Sequence, residues 1–341
     1  MEETRPLPIL LKMGKFSRPY IQNKALYKGQ ILKLIKKTWE TPYVWVKNQV
    51  VKKKFSFPEF EHVDGIGTKG IYHWKKRSFK NAVLDALAMN LNDFLIANAK
   101  PYAILNHLFL PRDDKKAILE IISHLSQECK KRKIAILGGE TAINNDMEGM
   151  ELSITMLGFV EKPRENKFQI DDALIGVESN GLHSNGFSKV REIFRKKIKP
   201  EFIKPTLIYF DKIFPLIEKF NIRGMVHITG GAFTKLKDLL NGANAIISRK
   251  HKLKPQPIFY EILKKGVSEV QMYKIFNCGI GLILSVSPKD VSSVLSEINP
   301  VRNRRFLNGV KNFKTDIIGK IIPGNGKVII ESAFSNKKII F

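Results

Sequence analysis

The chain has 341 residues, enough for two domains of ordinary size, each with its own core. Its 43% hydrophobic and 10% aromatic content excludes a disordered chain, and no apolar run approaches the roughly 20 residues of a membrane span. Fifty-eight basic against 32 acidic side chains give a net charge of +26. The basic residues are scattered, with short runs at Lys52–Lys54, Lys130–Lys133 and Arg195–Lys199. They read as solvated faces that also attract anionic nucleotides; a nucleic-acid partner is the competing reading and is not required.

Two cysteines, Cys129 and Cys278, exclude a disulfide framework and fit a reduced, cytoplasmic setting. The opening residues start acidic and are broken by Pro6 and Pro8, so no secretory leader is expected. Residues 1–54 form a segment of their own. In it a basic helix is expected over Tyr27–Lys37, then an extended stretch in which Trp39, Tyr43 and Trp45 pack.

Val63–Gly70 (VDGIGTKG) is the first stretch that carries chemistry. Its glycines can turn backbone N–H groups towards an anion, Asp64 can sit beside a divalent cation, and Lys69 brings a point charge suited to phosphate. It can equally be a plain turn after a strand. A helix over Lys80–Ala97 follows, striped by Val83, Leu84, Leu87, Leu91, Phe94 and Leu95. Asp85 and Asn92 leave it on one side with Asp93 a quarter turn round, as a solvent edge or as the polar rim of a nucleotide or metal site. Asp113 is placed to cap the next helix, whose stripe ends at Cys129. The strand Ile134–Leu137 leads into Gly138-Gly139-Glu140-Thr141, and the strand Ser153–Val160 comes after.

The polar run Glu161–Asp172 marks a boundary, giving domains 55–162 and 171–341. Past it come the strand Ala173–Val177, a loop Ser179–Ser188 rich in glycine, hydroxyl and amide groups around His183, and a helix Phe187–Lys196. Such a loop at a helix N-terminus can cradle an anion. Pro205 is expected to open a helix that Pro215 kinks. The strand Met225–Ile228 delivers Thr229-Gly230-Gly231, with His227 just before the turn; alone, that histidine reads as structural. FNCGIGLILSV sets a Gly-x-Gly before a buried strand, where glycine permits close backbone approach. The helix Pro288–Ile298 and strands Asp316–Ile321 and Lys327–Glu331 complete the second half. Both halves mix helices with strands, an α/β (α+β) pattern with polar glycine turns at strand ends, where ligands bind.

Several of these segments, in unbroken order over about residues 60–335, resemble one family. They are Asp64–Lys69 (DGIGTK), Asp85 with Ala88-Met89, Asn92-Asp93, Gly138–Ala142 (GGETA), His183–Ser188 (HSNGFS), Pro205-Thr206 with Ile208-Tyr209, His227–Gly231 (HITGG) and Met272–Gly281 (MYKIFNCGIG). The family is aminoimidazole ribonucleotide synthetase, or phosphoribosylformylglycinamidine cyclo-ligase, of purine biosynthesis. The last block discriminates best. The earlier ones resemble the wider superfamily too, with selenophosphate synthetase, thiamine-monophosphate kinase and formylglycinamidine ribonucleotide synthetase. Neither cysteine lies near the N-terminus, which disfavours the selenium enzyme. The chain departs from the family pattern in three places. No glycine occurs over Lys37–Phe55, Asn98 stands where the family has glycine, and the loop after GGETA is short.

The resemblance implies two PurM-like domains, the N-terminal sheets of two copies pairing into a β-barrel homodimer. It implies conversion of formylglycinamidine ribonucleotide and ATP to aminoimidazole ribonucleotide, ADP and phosphate. Asp64, Asp93 and Glu140 are then expected to hold Mg²⁺ on ATP, with Gly65, Gly67, Thr68, Lys69 and Thr141 around the nucleotide. Ser184, Asn185, Gly186, Thr229, Gly230 and Gly231 are expected on the ribonucleotide. His183, then His227, are the candidate proton carriers, with Lys69 at the transferring phosphate. The competing readings are another ATP-using member of the superfamily, or a nucleic-acid-binding relative weakened in catalysis.

Overall fold

The computed structural model describes residues 18–47, 50–299, 306–307 and 310–341; the expectation for the opening residues falls outside them. The first half is one sheet with helices packed on one face. Helix α1 (Arg18–Ile35) precedes a hairpin of β1 (Val44–Lys47) and β2 (Val50–Lys53). Val44 and Val46 turn inward there and Trp45 outward, 42% exposed, so only Trp39 and half-buried Tyr43 of the three expected aromatics pack. Trp39 also donates its indole N–H to the Ile136 carbonyl at 2.8 Å.

Next come β3 (Glu59–Gly65), α2 (Gly70–Lys76), α3 (Phe79–Ile96), β4 (Lys100–Leu110), α4 (Lys115–Lys131), β5 (Ala135–Ile143) and β6 (Glu151–Phe159). The four-stranded order is β3-β6-β4-β5, with β4 and β5 parallel through α4 and the other pairs antiparallel. Alternation sorts the faces: Leu152, Ile154 and Met156 of β6 are buried in the core that also holds the stripes of α3 and α4. The other face carries the cross-strand row Val63–Thr155–Leu105, with Val63 63% and Leu105 41% exposed.

Two local details differ from expectation. Asp114, not Asp113, caps α4, accepting from Ala117 N at 2.9 Å, because Asp113 accepts from the Tyr27 hydroxyl. The Gly138–Thr141 run stays in strand β5, since β4 is long enough to pair it out to Leu110–Ile143. As expected of asparagine, Asn98 takes the left-handed turn that ends α3 (φ +54°) and donates to the Lys162 carbonyl.

The second half contains β7 (Ala173–Glu178), α5 (Phe187–Phe194), α6 (Phe210–Ile217), β8 (Ile222–His227), β9 (Asn244–Ile247), α7 (Pro257–Lys264), α8 (Glu269–Ile275), β10 (Ile280–Val286) and α9 (Val291–Ile298). It closes with β11 (Phe306–Leu307), β12 (Val310–Lys311), β13 (Thr315–Ile322), β14 (Val328–Glu331) and β15 (Lys338–Ile340). Its seven-stranded sheet runs β15-β14-β9-β13-β7-β10-β8. Every residue of β10 is buried because a separate core lies on each face, Ile283 in one and Leu282 and Leu284 in the other. Pro205 opens no helix. Residues 204–209 stay irregular and α6 starts at Phe210, because the N–H groups of Thr206 and Tyr209 donate to Asp85 and Asn92 in the first half. Pro215 lies inside α6, which stops two residues later. Among the described residues no helix is long and apolar enough to cross a membrane.

Candidate active site

Asp85 of α3 is the hub that joins the two halves. Its carboxylate is fully buried and accepts from Lys69 Nζ (2.9 Å), His73 Nε2 (2.8 Å), Ser184 Oγ (2.8 Å), Thr206 N (2.6 Å) and Thr206 Oγ1 (2.7 Å). Burial alone would raise this carboxyl; Lys69 and His73 outweigh it and hold Asp85 well below the usual range. Burial lowers the His73 pKa against the pull of Asp85, and its Nδ1 lies 2.8 Å from Ser78 Oγ. Lys69 completes its shell on the carbonyls of His183 (2.7 Å) and Lys204 (2.6 Å), both in the second half. An ammonium has three protons. All three are committed, so the phosphate contact expected of Lys69 is not available here. Ser184 is likewise engaged by Asp85 rather than presented to a ligand.

Beside this latch, a second polar cluster lies on the helix side of β3. Asn90 donates from Nδ2 to the carbonyls of Ala86 (3.0 Å) and Asp64 (3.3 Å), so its Oδ1 must accept, and His62 Nδ1 donates to it at 3.0 Å. His62 Nε2 faces Asp93 Oδ2 at 3.1 Å and donates as well. Both ring nitrogens then carry protons, in keeping with the raised His62 pKa, whose main cause is Asp93. On the far side of Asp93 stands His227, Nδ1 3.7 Å from Asp93 Oδ1. Its tautomer follows from Asn92: Oδ1 accepts from Tyr209 N, so Nδ2 donates to His227 Nε2 (3.3 Å) and leaves the proton on Nδ1, towards Asp93. Burial would raise Asp93, but the two imidazoles outweigh it and keep that carboxyl well below the ordinary range. Asp64 is shifted oppositely, raised by burial and by the Asp93 charge.

The glycine loop holds carboxylates of its own. Gly65 N donates to Asp64 Oδ1 (2.7 Å) and Gly67 N, in the left-handed region, to Glu151 Oε1 (3.2 Å). A Cβ at Gly65 would meet that Glu151 oxygen and Ser153 Oγ, so any larger residue there would push the carboxylate away from the loop. Thr68 is half-buried beside the loop, and Thr141 pairs with Leu108 across β5 and β4. Glu140 stands apart. It lies in register with His107, Ser153 and Gly65, on the face that leaves Leu105 exposed, while Asp64 points to the helix side. Asp64 and Glu140 belong to opposite edge strands, about 14 Å apart by three strand spacings. The three acids expected to share magnesium therefore do not converge within one chain. Among the described residues no three His, Cys, Asp or Glu form a metal cluster.

From the second half, His183 takes a left-handed conformation (φ +59°), and its buried ring lies 6.5 Å from that of His227 and 6.2 Å from Tyr209. Gly281 of the Gly-x-Gly motif makes room: a Cβ there would collide with Tyr209 Oη and come within 2.7 Å of His183 Cε1. Gly186 (φ +73°) starts α5, packed on Phe276. Asn185 Oδ1 would be 3.8 Å from a Cβ on Gly230, so the His183 loop and the Thr229–Gly231 turn are neighbours. The structure thus brings Asp64 and Asp93 to His227, His183, Asn185 and Gly230. Sequence reasoning did not single out His62, His73, Asn90, Glu151 or Lys235. His62 had a signal, since it shares a strand face with Asp64 two residues on.

The family models match the two halves separately: "AIR synthase related protein, N-terminal domain" over residues 61–160 and "AIR synthase related protein, C-terminal domain" over 169–303. In fold the chain is similar to hydrogenase maturation protein HypE in complex with ATP (TM-score 0.62, 14% identity, 96% of this chain and 95% of that one). It is also similar to thiamine monophosphate kinase from Aquifex aeolicus (TM-score 0.56, 16%, 96% and 97%). These define a two-domain AIR synthase related protein. Curated relatives are more specific. The phosphoribosylformylglycinamidine cyclo-ligase of Saccharolobus solfataricus is 36% identical over 274 residues, 75% of this chain and 83% of the relative. That of Clostridium perfringens is 34% identical over 268 residues, 73% and 80%. The chain belongs to the phosphoribosylformylglycinamidine cyclo-ligase family.

Proposed function

We propose that the chain is an ATP-dependent cyclo-ligase that closes formylglycinamidine ribonucleotide to 5-aminoimidazole ribonucleotide, releasing ADP and phosphate, in purine biosynthesis. The observation that carries it is family membership across both halves, whose acids (Asp64, Asp93) and histidines (His227, His183) meet at one site. Ring closure needs a nitrogen to attack a formamide carbon whose oxygen leaves poorly; transferring a phosphoryl group to that oxygen makes it depart as phosphate. The protein's task is to align two anionic molecules and balance their charge.

Asp64 and Asp93 suit Mg²⁺, which takes one or two carboxylates and fills its shell with water and phosphate oxygens. When bound, the ion would neutralise charge on the ATP phosphates. The charged His62 keeps Asp93 ionised and oriented. His183 is the first candidate to carry the proton lost in ring closure, with His227 behind it. Lys69 acts at a distance, holding the two halves in register through Asp85. The enzyme works as a homodimer in the cytoplasm, pairing through the face that exposes Val63 and Leu105. Glu140 lies on that face, so it is turned towards the second copy rather than towards Asp64.

The test is incubation of the purified protein with formylglycinamidine ribonucleotide, ATP and Mg²⁺, following the aromatic amine product and ADP. One ADP per imidazole formed is expected. ATP binding with no imidazole would instead mark a relative with another substrate.

A further inference from the structure

A ribonucleotide ends in a phosphate monoester, which needs a fixed positive charge, and Lys69 has no proton to spare for it. A different lysine stands at the right place. Lys235 lies on the 3-10 helix Ala232–Leu239 that follows the Thr229–Gly231 turn, and it reaches back under that turn. Its Nζ donates to Thr229 Oγ1 at 2.9 Å and to the His227 carbonyl at 3.4 Å, which leaves one of its three protons uncommitted.

Three further donors surround this ammonium. The N–H groups of Gly230 and Gly231 make no hydrogen bond among the described residues, while the flanking Thr229 and Ala232 amides are both engaged. Gly231 is left-handed (φ +77°) and both glycines are exposed, so two successive N–H groups stand open at a turn, the kind of feature that takes anions. Asn185, beside Gly230, has its Nδ2 buried with no hydrogen-bond partner among the described residues. One ammonium, two backbone amides and one side-chain amide thus lie around a single turn, and among the described residues no carboxylate bonds to any of them.

The geometry points to Lys235, with the Gly230 and Gly231 amides and Asn185, as the seat of the substrate's ribose 5-phosphate. This assignment rests on the ring-closure reading for the identity of the substrate, but the anion seat itself does not. It makes Lys235 a substrate-specificity residue and leaves the ATP phosphates to the Asp64 and Asp93 side of the site.

The experiment titrates ribose 5-phosphate into the full chain, following the Gly230 and Gly231 amide resonances, with kinetics of the wild type, Lys235→Met and Lys235→Arg. Both amides are expected to move in the wild type. Loss of one charge-assisted hydrogen bond should raise the KM of Lys235→Met for the ribonucleotide about 10- to 100-fold. Its KM for ATP should stay within about twofold, and arginine should restore most of the loss. Should Lys235→Met fail to fold, Lys235→Gln takes its place. Unmoved amides in the wild type would overturn the assignment. So would a variant that raises KM for ATP instead, or leaves both KM values unchanged, as a lysine that only staples the turn would. A wild type that binds ribose 5-phosphate here yet forms no imidazole would sink the ring-closure reading while the anion seat stands.

Discussion

Asp93 sits between two imidazoles that hold different numbers of protons, and that asymmetry fixes its chemistry. His62 donates from both nitrogens and is charged, whereas His227 turns its single assigned proton towards the same carboxylate. Asp93→Asn should therefore cut turnover at least about 100-fold while lowering Tm no more than His62→Asn does, because both remove the same ion pair and neither removes volume. Turnover within a few-fold of wild type would take Asp93 out of the site. The His62–Asp93 pair also sets a pH window. Its Asp93 contribution to stability is present above the unfolded aspartate value, near ~3.9, and lost as pH falls through the depressed folded value. The His62 contribution is complete below the unfolded histidine value, near ~6.5, and lost as pH rises through its raised folded value. The Tm gap between wild type and His62→Asn should thus be widest between about pH 4 and 6.5 and shrink above it; a gap that grows with pH would contradict the pairing. The acids at 64 and 93 were legible in the sequence from their motifs. His62 could be read only as sharing a strand face with Asp64; its contact with Asp93 could not, since nothing in the sequence says which helix residue packs over that face.

Among the elements, α3 does the most to build the site. Its apolar stripe was readable from periodicity, and so was the placing of Asp85 and Asn92 on one side with Asp93 a quarter turn round. What periodicity could not show is where those polar groups go. Asp85 takes donors from Lys69, His73, Ser184 and Thr206, and Asn92 takes the Tyr209 amide, so both reach across into the second half. The same bonds explain why Pro205 misleads. A proline that would start a helix lies instead in an irregular crossing whose N–H groups are spent on α3. Removing one partner of a buried ion pair leaves the other uncompensated, so Lys69→Met should cost roughly 3–5 kcal/mol in urea unfolding. A cost under about 1 kcal/mol would show that the latch is not built around Lys69.

At the scale of the whole molecule, the sheet of the first half has one face sealed by helices and one that leaves Val63 and Leu105 open. The sequence could not reveal this, because β3 alternates its side chains whether or not a partner covers the outer set. Leu105→Lys should turn the proposed dimer into a monomer in sedimentation equilibrium; an unchanged mass would move the interface elsewhere. The division into two α/β halves was readable from the polar run before Asp172, while β9, α7, α8 and β15 gave no clear signal, being short. The proposed reaction turns on a phosphoryl group that activates the formyl oxygen of the substrate. The most direct measurement labels that oxygen with ¹⁸O and follows it through one turnover. Phosphate carrying the label would bear this out. Unlabelled phosphate, with the label lost to water, would contradict it.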